Sequence, residues 1–219
     1  MDTVDCLVSE GLFSRPGRDE LVDCHRRRRD DPNNYPYYDF AKDLVRTFGR
    51  GLSGHAQGDV TEAYEDFFER PGMAFAFAER LVSLVKRRGF VPIAIGGSQE
   101  EAVIAFTEKL GIKEAHGTRF VVSEAGVYTG EVERNCAVHS TKHELTEGVI
   151  RNHALAVSHC AGFGDSDQDA FLRIVGYPVA VLPNDDLREL AEIEFGSRRW
   201  LICDDEAKVV RAVANYLPE

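Results

Sequence analysis

Hydrophobic and polar positions change rhythm along the chain. The apolar stretch "TVDCLVS" (3–9) predicts a short strand. Residues 18 to about 70 are polar and aromatic-rich. They carry helical segments such as "DFAKDLVRTFGRG" and "DVTEAYEDFFER" and no strand pattern. From Pro71 the pattern alternates. "MAFAFAERLVSLVKRRG" predicts a helix ending on Gly89, and "FVPIAI" predicts a strand. "SQEEAVIAFTEKLG" predicts a helix with Ser98 at the N-cap and Glu101 completing a capping box. "TRFVVSEAGVYTGEV" predicts a hairpin turning at Ala125-Gly126. Next come a helix in "TKHELTEGVIRN", a strand and loop in "ALAVSHCAGFG", a helix in "SDQDAFLRIVG" and a strand in "YPVAVLP". The chain continues with a helix in "DDLRELAEIEFG", a strand in "RWLIC" and a helix in "DDEAKVVRAVANYL".

Strands alternating with helices of this length imply βαβ units around a parallel sheet. The fold expected is α/β, a Rossmann-like parallel sheet flanked by helices, with a small helical cap inserted after the first strand. The boundaries expected are residues 1–13 and 71–219 for the α/β core and 14–70 for the cap. Ligands in open α/β sheets bind beyond the C-terminal ends of strands. Attention therefore falls on "VSEG" (8–11), "GGS" (96–98) and "DSDQD" (165–169).

The last stretch places Asp165, Asp167 and Asp169 within five positions, a pattern that holds a cation or caps a helix. Lys142 lies in the preceding helix. His139 and His143 are i, i+4 neighbours without a third ligand at suitable spacing, and read as surface residues. Tyr35, Tyr37, Tyr38 and Phe40 read as packing within the cap or as the lining of a ligand entrance.

Composition narrows the classes. The chain has 26 Lys and Arg against 37 Asp and Glu, a net charge of −11. Phosphate-backbone binding needs a basic face, so a nucleic-acid partner is not expected. The dense basic run Arg26–Arg29 is followed at once by Asp30 and Asp31 and reads as a solvated helix end. No apolar stretch reaches the ~18 residues of a membrane span, so no membrane partner is expected. The acidic start lacks the basic region of a secretory signal. Five scattered cysteines without a Cys-x-x-Cys pair suggest free thiols and a cytoplasmic location.

Taken together, these motifs resemble the haloacid-dehalogenase-like hydrolase superfamily, in its phosphoserine-phosphatase-like branch. "GFGDSDQDAFLRIVGYPVAV" is similar to the fourth motif, GDSxxD, and "STKHELTEGVI" to the third, with Lys142. "GTRFVVSEAGVYTGEV" resembles the hairpin of that branch, and "IGGSQEEAV" lies where the second motif belongs. The resemblance implies a magnesium-dependent phosphohydrolase site. Asp165, Asp169 and Glu10, the last through its carbonyl, would be metal ligands. Gly96, Gly97, Ser98 and Lys142 would hold phosphate.

The first motif departs from the family pattern, in which strand one ends in DxDG[TS]. Laying "LVSEGLF" on it puts Val8 at the nucleophile and Glu10 at the acid/base, with Gly11 matched and Leu12 replacing Thr or Ser. Gly96 stands where the second motif has Ser or Thr. A valine has no lone pair with which to form an aspartyl-phosphate-like intermediate, and losing a carboxylate weakens Mg2+ binding. The function expected is that of a pseudophosphatase that still binds a small phosphorylated or anionic ligand, or a protein partner. The alternatives are an active phosphomonoester hydrolase using Glu10 and a structural or interaction subunit.

Overall fold

The computed structural model describes residues 2–194 and 200–218. Residues 195–199 lie outside them, and with them the end of the helix expected over 185–196 and the first residue of the strand expected over 199–203. Two compact units divide the chain. One comprises residues 1–73 and 94–138, the other residues 74–93 and 139–219.

In the first unit, α1 (Asp2–Ser9), α2 (Arg15–Asp30), α3 (Tyr37–Leu52) and α4 (Gln57–Phe68) accompany β1 (Ile93–Gln99), α6 (Glu100–Lys109), β2 (Glu114–Val122) and β3 (Tyr128–Arg134). The three strands form a sheet in the order β1-β2-β3. The expected hairpin is present: β2 and β3 pair antiparallel, with Phe120 opposite Val132 and Val122 opposite Tyr128. The aromatic stretch expected in the helical segment packs on itself, Phe40 being buried in edge contacts with His25, Tyr35 and Tyr37. Arg26, Arg27 and Arg29 are exposed and Arg28 half-buried, and the side chains of the run are occupied by Asp23, Asp43, Asp30 and the Pro32 and Tyr35 carbonyls.

The strand expected over residues 3–9 is instead helix α1. Val4 and Leu7 face the core of this unit, at 7% and 0% exposure, a three-residue spacing that a helix satisfies. Gly11, with φ +74°, ends it. The Leu12 N–H donates to the Leu7 carbonyl at 2.8 Å and the Gly11 N–H to the Val8 carbonyl at 3.2 Å. These two bonds make a Schellman motif, and Leu7 and Leu12 share the same hydrophobic cluster, as the motif favours. Residues 8–12 are thus a helix end.

The capping box expected at Ser98 is also absent. β1 continues through Ser98 to Gln99, α6 begins at Glu100, and Gln99 at the N-cap makes no side-chain cap bond. Its amide is used elsewhere. The Tyr64 hydroxyl donates to Gln99 Oε1 at 2.8 Å, and Gln99 Nε2 donates to the Tyr128 hydroxyl at 2.8 Å. Burying this amide is tolerable only because both its ends are bonded. Drawing it inward extends the strand past the position of the expected cap.

In the second unit, β4 (Ala161–Gly164), β5 (Tyr177–Val181) and β6 (Leu201–Cys203) form a parallel sheet in the order β4-β5-β6. The helices are α5 (Ala78–Arg87), α7 (His139–Asn152), α8 (Asp185–Glu194) and α9 (Val209–Tyr216). Consecutive residues of β5 serve different cores. Val179 joins Leu84, Val85, Val209 and Val213, whereas Ala180 joins Leu172, Leu187, Ala191 and Trp200. A parallel strand buried on both faces and covered by helices is the expected α/β arrangement. Gly89 ends α5 at φ +80° as its position implied. The strand expected from residue 154 begins later. Residues 154–159 are exposed, with a 3-10 turn at Val157–His159, and pairing starts at Ala161. The helix expected over 166–176 is a 3-10 segment, Asp167–Ile174, kinked at Asp169.

One close approach in the first unit yields a test. A Cβ at Gly49 of α3 would lie 2.7 Å from the Gly130 carbonyl oxygen and 3.0 Å from the Phe120 ring. Gly58, in α4, faces open space. We predict that Gly49→Ala lowers stability by about 2 kcal/mol through overpacking. Gly58→Ala should raise it by up to about 1 kcal/mol through helix propensity. Denaturant titration of both variants checks this, and a neutral Gly49→Ala would contradict the packing described.

Candidate functional site

The parallel sheet of the second unit ends, at β4, in Gly164 followed by Asp165, Ser166, Asp167, Gln168 and Asp169. The chain must turn sharply here, and Gly164 makes the turn possible. A Cβ on it would stand 2.5 Å from Asp169 Cβ and 2.7 Å from Asp169 Oδ2. Without one, the Asp169 carboxylate folds back over the strand end. Its Oδ2 accepts from the backbone N–H of Asp165 at 3.0 Å and of Ser166 at 3.3 Å. Ser166 and Asp169 form a capping box at the start of the 3-10 segment. Capping is thus part of what this acidic cluster does.

The other Asp169 oxygen does something a cap does not need. Oδ1 accepts from Lys142 Nζ at 2.7 Å, and the side chains are only 11% and 8% exposed. Lys142 lies in α7, where the Thr146 hydroxyl donates to the Lys142 carbonyl at 2.8 Å. A lysine and an aspartate 27 positions apart therefore meet in a buried pair. Isolated charges at this depth would be too costly.

Asp165 is exposed, yet surrounding protein atoms and then the Asp169 carboxylate push its carboxyl above the ordinary value of 3.8, with the Lys142 charge opposing them. Solvent screens part of this effect. The Asp165 carbonyl accepts from the Asn184 N–H at 2.8 Å, which ties the loop after β4 to the loop after β5. Asp167 accepts from Gln168 Nε2 at 2.7 Å and from Asn184 Nδ2 at 3.4 Å. Gln168 Oε1 is buried without a partner among the described residues.

Of the residues singled out in the sequence, Lys142, Asp165 and Asp169 come together here. Val8, Glu10, Gly96, Gly97 and Ser98 belong to the first unit. There Val8 packs against the core from α1, and Glu10 is the exposed residue that follows that helix. Neither stands at the end of a strand, as the positions expected for them require: Val8 lies in α1 and Glu10 directly after it. Ser98 is an exposed strand residue, and the helix expected to start at it begins two residues later at Glu100, with Gln99 at the N-cap. Gly97 makes a different contribution: its carbonyl accepts from the Thr118 hydroxyl at 2.8 Å. A Cβ at Gly96 would stand 2.9 Å from Val103 Cγ2. His143 faces Glu147 at 3.5 Å, within its own helix.

Sequence reasoning missed Gly164, Gln168 and Asn184. Gly164 had a legible signal as the glycine directly before the acidic run. Asn184 had only its place after a strand.

A magnesium ion would find one open carboxylate here, that of Asp165. No group of three or more His, Cys, Asp or Glu among the described residues is placed to hold a metal ion. Both Asp169 oxygens are occupied, which leaves Asp165 as the free carboxylate of the two assigned to metal. Mg2+ is commonly held by one or two carboxylates together with waters and substrate phosphates.

The comparisons with known proteins bear on the fold, a parallel α/β sheet flanked by helices with a buried Lys–Asp pair beyond one strand. A solved substrate-bound phosphoserine phosphatase superposes with a TM-score of 0.67 at 18% identity, covering 100% of this chain and 91% of that one. In sequence, the chain is 28% identical over 117 residues to phosphoserine phosphatase of Methanocaldococcus jannaschii. It is 34% identical over 113 residues to the "Inhibition of morphological differentiation protein" of Streptomyces azureus. These matches take in 53% and 51% of this chain, and the chain spans 55% and 39% of the length of those relatives. The resemblance therefore lies in the phosphoserine-phosphatase-like branch. No protein-family model matches the chain. Among the described residues, no helix is long and apolar enough to cross a membrane.

Two predictions follow from the pair and its neighbour. Lys142→Ala strands a buried carboxylate and Gly164→Ala displaces it. Each should cost about 3 kcal/mol in denaturant unfolding. Asp165 behaves oppositely. Its folded-state pKa is raised, so below 3.8 it is protonated whether folded or unfolded, and as pH climbs through the raised value its ionisation costs stability. Asp165→Asn should therefore raise the melting temperature near pH 7 in buffer free of divalent cations, and the gain should shrink as pH falls towards 3.8. A lower melting temperature at pH 7 would show that the Asp165 charge is stabilising.

Proposed function

We propose that this polypeptide is a phosphatase-fold protein that binds a small phosphorylated or other anionic ligand at the Lys142–Asp165–Asp169 cluster. By itself it does not hydrolyse phosphomonoesters. What supports this reading is the helical state of residues 2–9. The stretch that matches the nucleophile motif ends a helix, and its glycine is the helix cap. The sheet of the second unit has β4 at one edge. Among the described residues, no neighbouring strand delivers an attacking carboxylate beside Asp165. Phosphomonoester hydrolysis through a covalent intermediate needs such a group aligned with phosphorus. The same proposal places the protein in the cytoplasm, on the strength of cysteines that form no disulfide among the described residues.

A second reading, an active magnesium-dependent hydrolase, draws on the intact Lys142–Asp169 pair and the likeness to phosphoserine phosphatases. One experiment separates the two: release of phosphate from several monoesters by the purified chain, with and without magnesium. We expect background rates. Robust turnover that disappears in Asp165→Ala would establish the hydrolase. Ligand binding is read by melting temperature against O-phosphoserine concentration. A ligand at a hundred times its dissociation constant stabilises by about 2.7 kcal/mol. The shift should shrink in Lys142→Ala, measured against that variant's own baseline. No shift in the wild-type chain would favour a purely structural subunit.

A further inference from the structure

A cavity of about 390 Å³ opens between α5 and α9 of the second unit, lined by Glu79, Arg80, Ser83, Arg87 and Val210. It shares no residue with the Lys142 cluster. Positions 80, 83 and 87 form one row on α5, at i, i+3 and i+7, beside the face on which Leu84 and Val85 are buried. The two arginines are about 10 Å apart along the axis, a distance their side chains can close over Ser83.

Carboxylates outnumber cations, 37 to 26, and several arginines are drawn into pairs: Arg50 with Glu20, Arg119 with Glu100, Arg173 with Glu194. Arg88, next in sequence to Arg87, is committed to the Ala214, Leu217 and Pro218 carbonyls at the end of α9. Arg80 and Arg87 are exposed and form no ion pair or hydrogen bond among the described residues, and they line a common cavity with Glu79.

We propose that this cleft is a binding site for a small phosphate monoester. Two guanidinium forks and a hydroxyl around one space suit a tetrahedral dianion, because each fork can bond two of its oxygens. Glu79 at the cleft disfavours a second anionic group, so the remainder of the ligand is uncharged or carries an amine. Val210 offers that remainder an apolar wall. The volume lies in the range of small-molecule sites.

The test is a ¹H–¹⁵N NMR titration with inorganic phosphate, ionic strength held constant with sodium chloride. The amides of Arg80, Ser83, Arg87 and Val210 should shift along saturating curves. Arg80→Ala/Arg87→Ala should weaken that binding at least about tenfold, the worth of one charge-assisted contact. Arg80 and Arg87 are exposed and line the cleft, so the fold of the double variant should persist, and the spectrum itself reports it. Lys142→Arg should leave these shifts unchanged, which separates this site from the one proposed at Lys142. Shifts that stay linear in phosphate, or equal affinity in the double variant, would overturn the proposal.

Discussion

A carboxylate buried at the end of a parallel strand must be satisfied on every side, and Asp169 imposes that demand on its surroundings. One oxygen takes the Lys142 ammonium and the other takes two backbone N–H groups of its own loop. The first bond fixes α7 against the 3-10 segment. The second fixes the turn after β4, and Gly164 must lack a side chain for the turn to close. Asp165 is then left beside Asp169 with its charge disfavoured, exposed at the surface and tied by its carbonyl to the loop after β5. Four features of the site thus follow from a single desolvated charge and its partners.

The sequence conveyed this part well because its signals are local. "GFGDSDQD" carries the glycine, the cap and the carboxylates within a few residues, and "YPVAV" is a short β-branched run with a turn on each side. The pairing of Lys142 with Asp169 was not legible: the resemblance implied phosphate for the first and metal for the second, and no local rule joins positions 27 apart. The hairpin was legible for the same reason as the loop, its turn residues being adjacent.

Two misreadings share a different cause. "TVDCLVS" is too short for its apolar residues to choose between a period of two and one of three to four. The choice is made by tertiary partners: Leu7 buries into the first unit's core and the Cys6 thiol donates to the Ala63 carbonyl at 3.4 Å. Gly11 then fits two patterns, a motif glycine after a strand and a positive-φ helix cap, and only the backbone distinguishes them. At Ser98 the local cap signal was overridden from a distance. Gln99 is bonded to tyrosines 35 and 29 positions away, and satisfying that buried amide outweighs an exposed serine cap.

Charge balance decides what each part of the second unit attracts. Around Lys142 one ammonium faces Asp165 and Asp169, and its bond is already made to Asp169. An ammonium has three donors, so an anion could still be received there. It would nevertheless approach through a field dominated by carboxylates in a chain of net charge −11. Affinity at that cluster should therefore be low unless a cation accompanies the anion, and Asp165 is the group placed to meet it. The α5/α9 cleft has the opposite sign, with two arginines against one glutamate among its lining residues. A bare phosphate there needs no escort. The two surfaces would consequently respond to added divalent cation in opposite ways: the first gains affinity for phosphate, whereas the second loses it as the cation complexes free phosphate in solution.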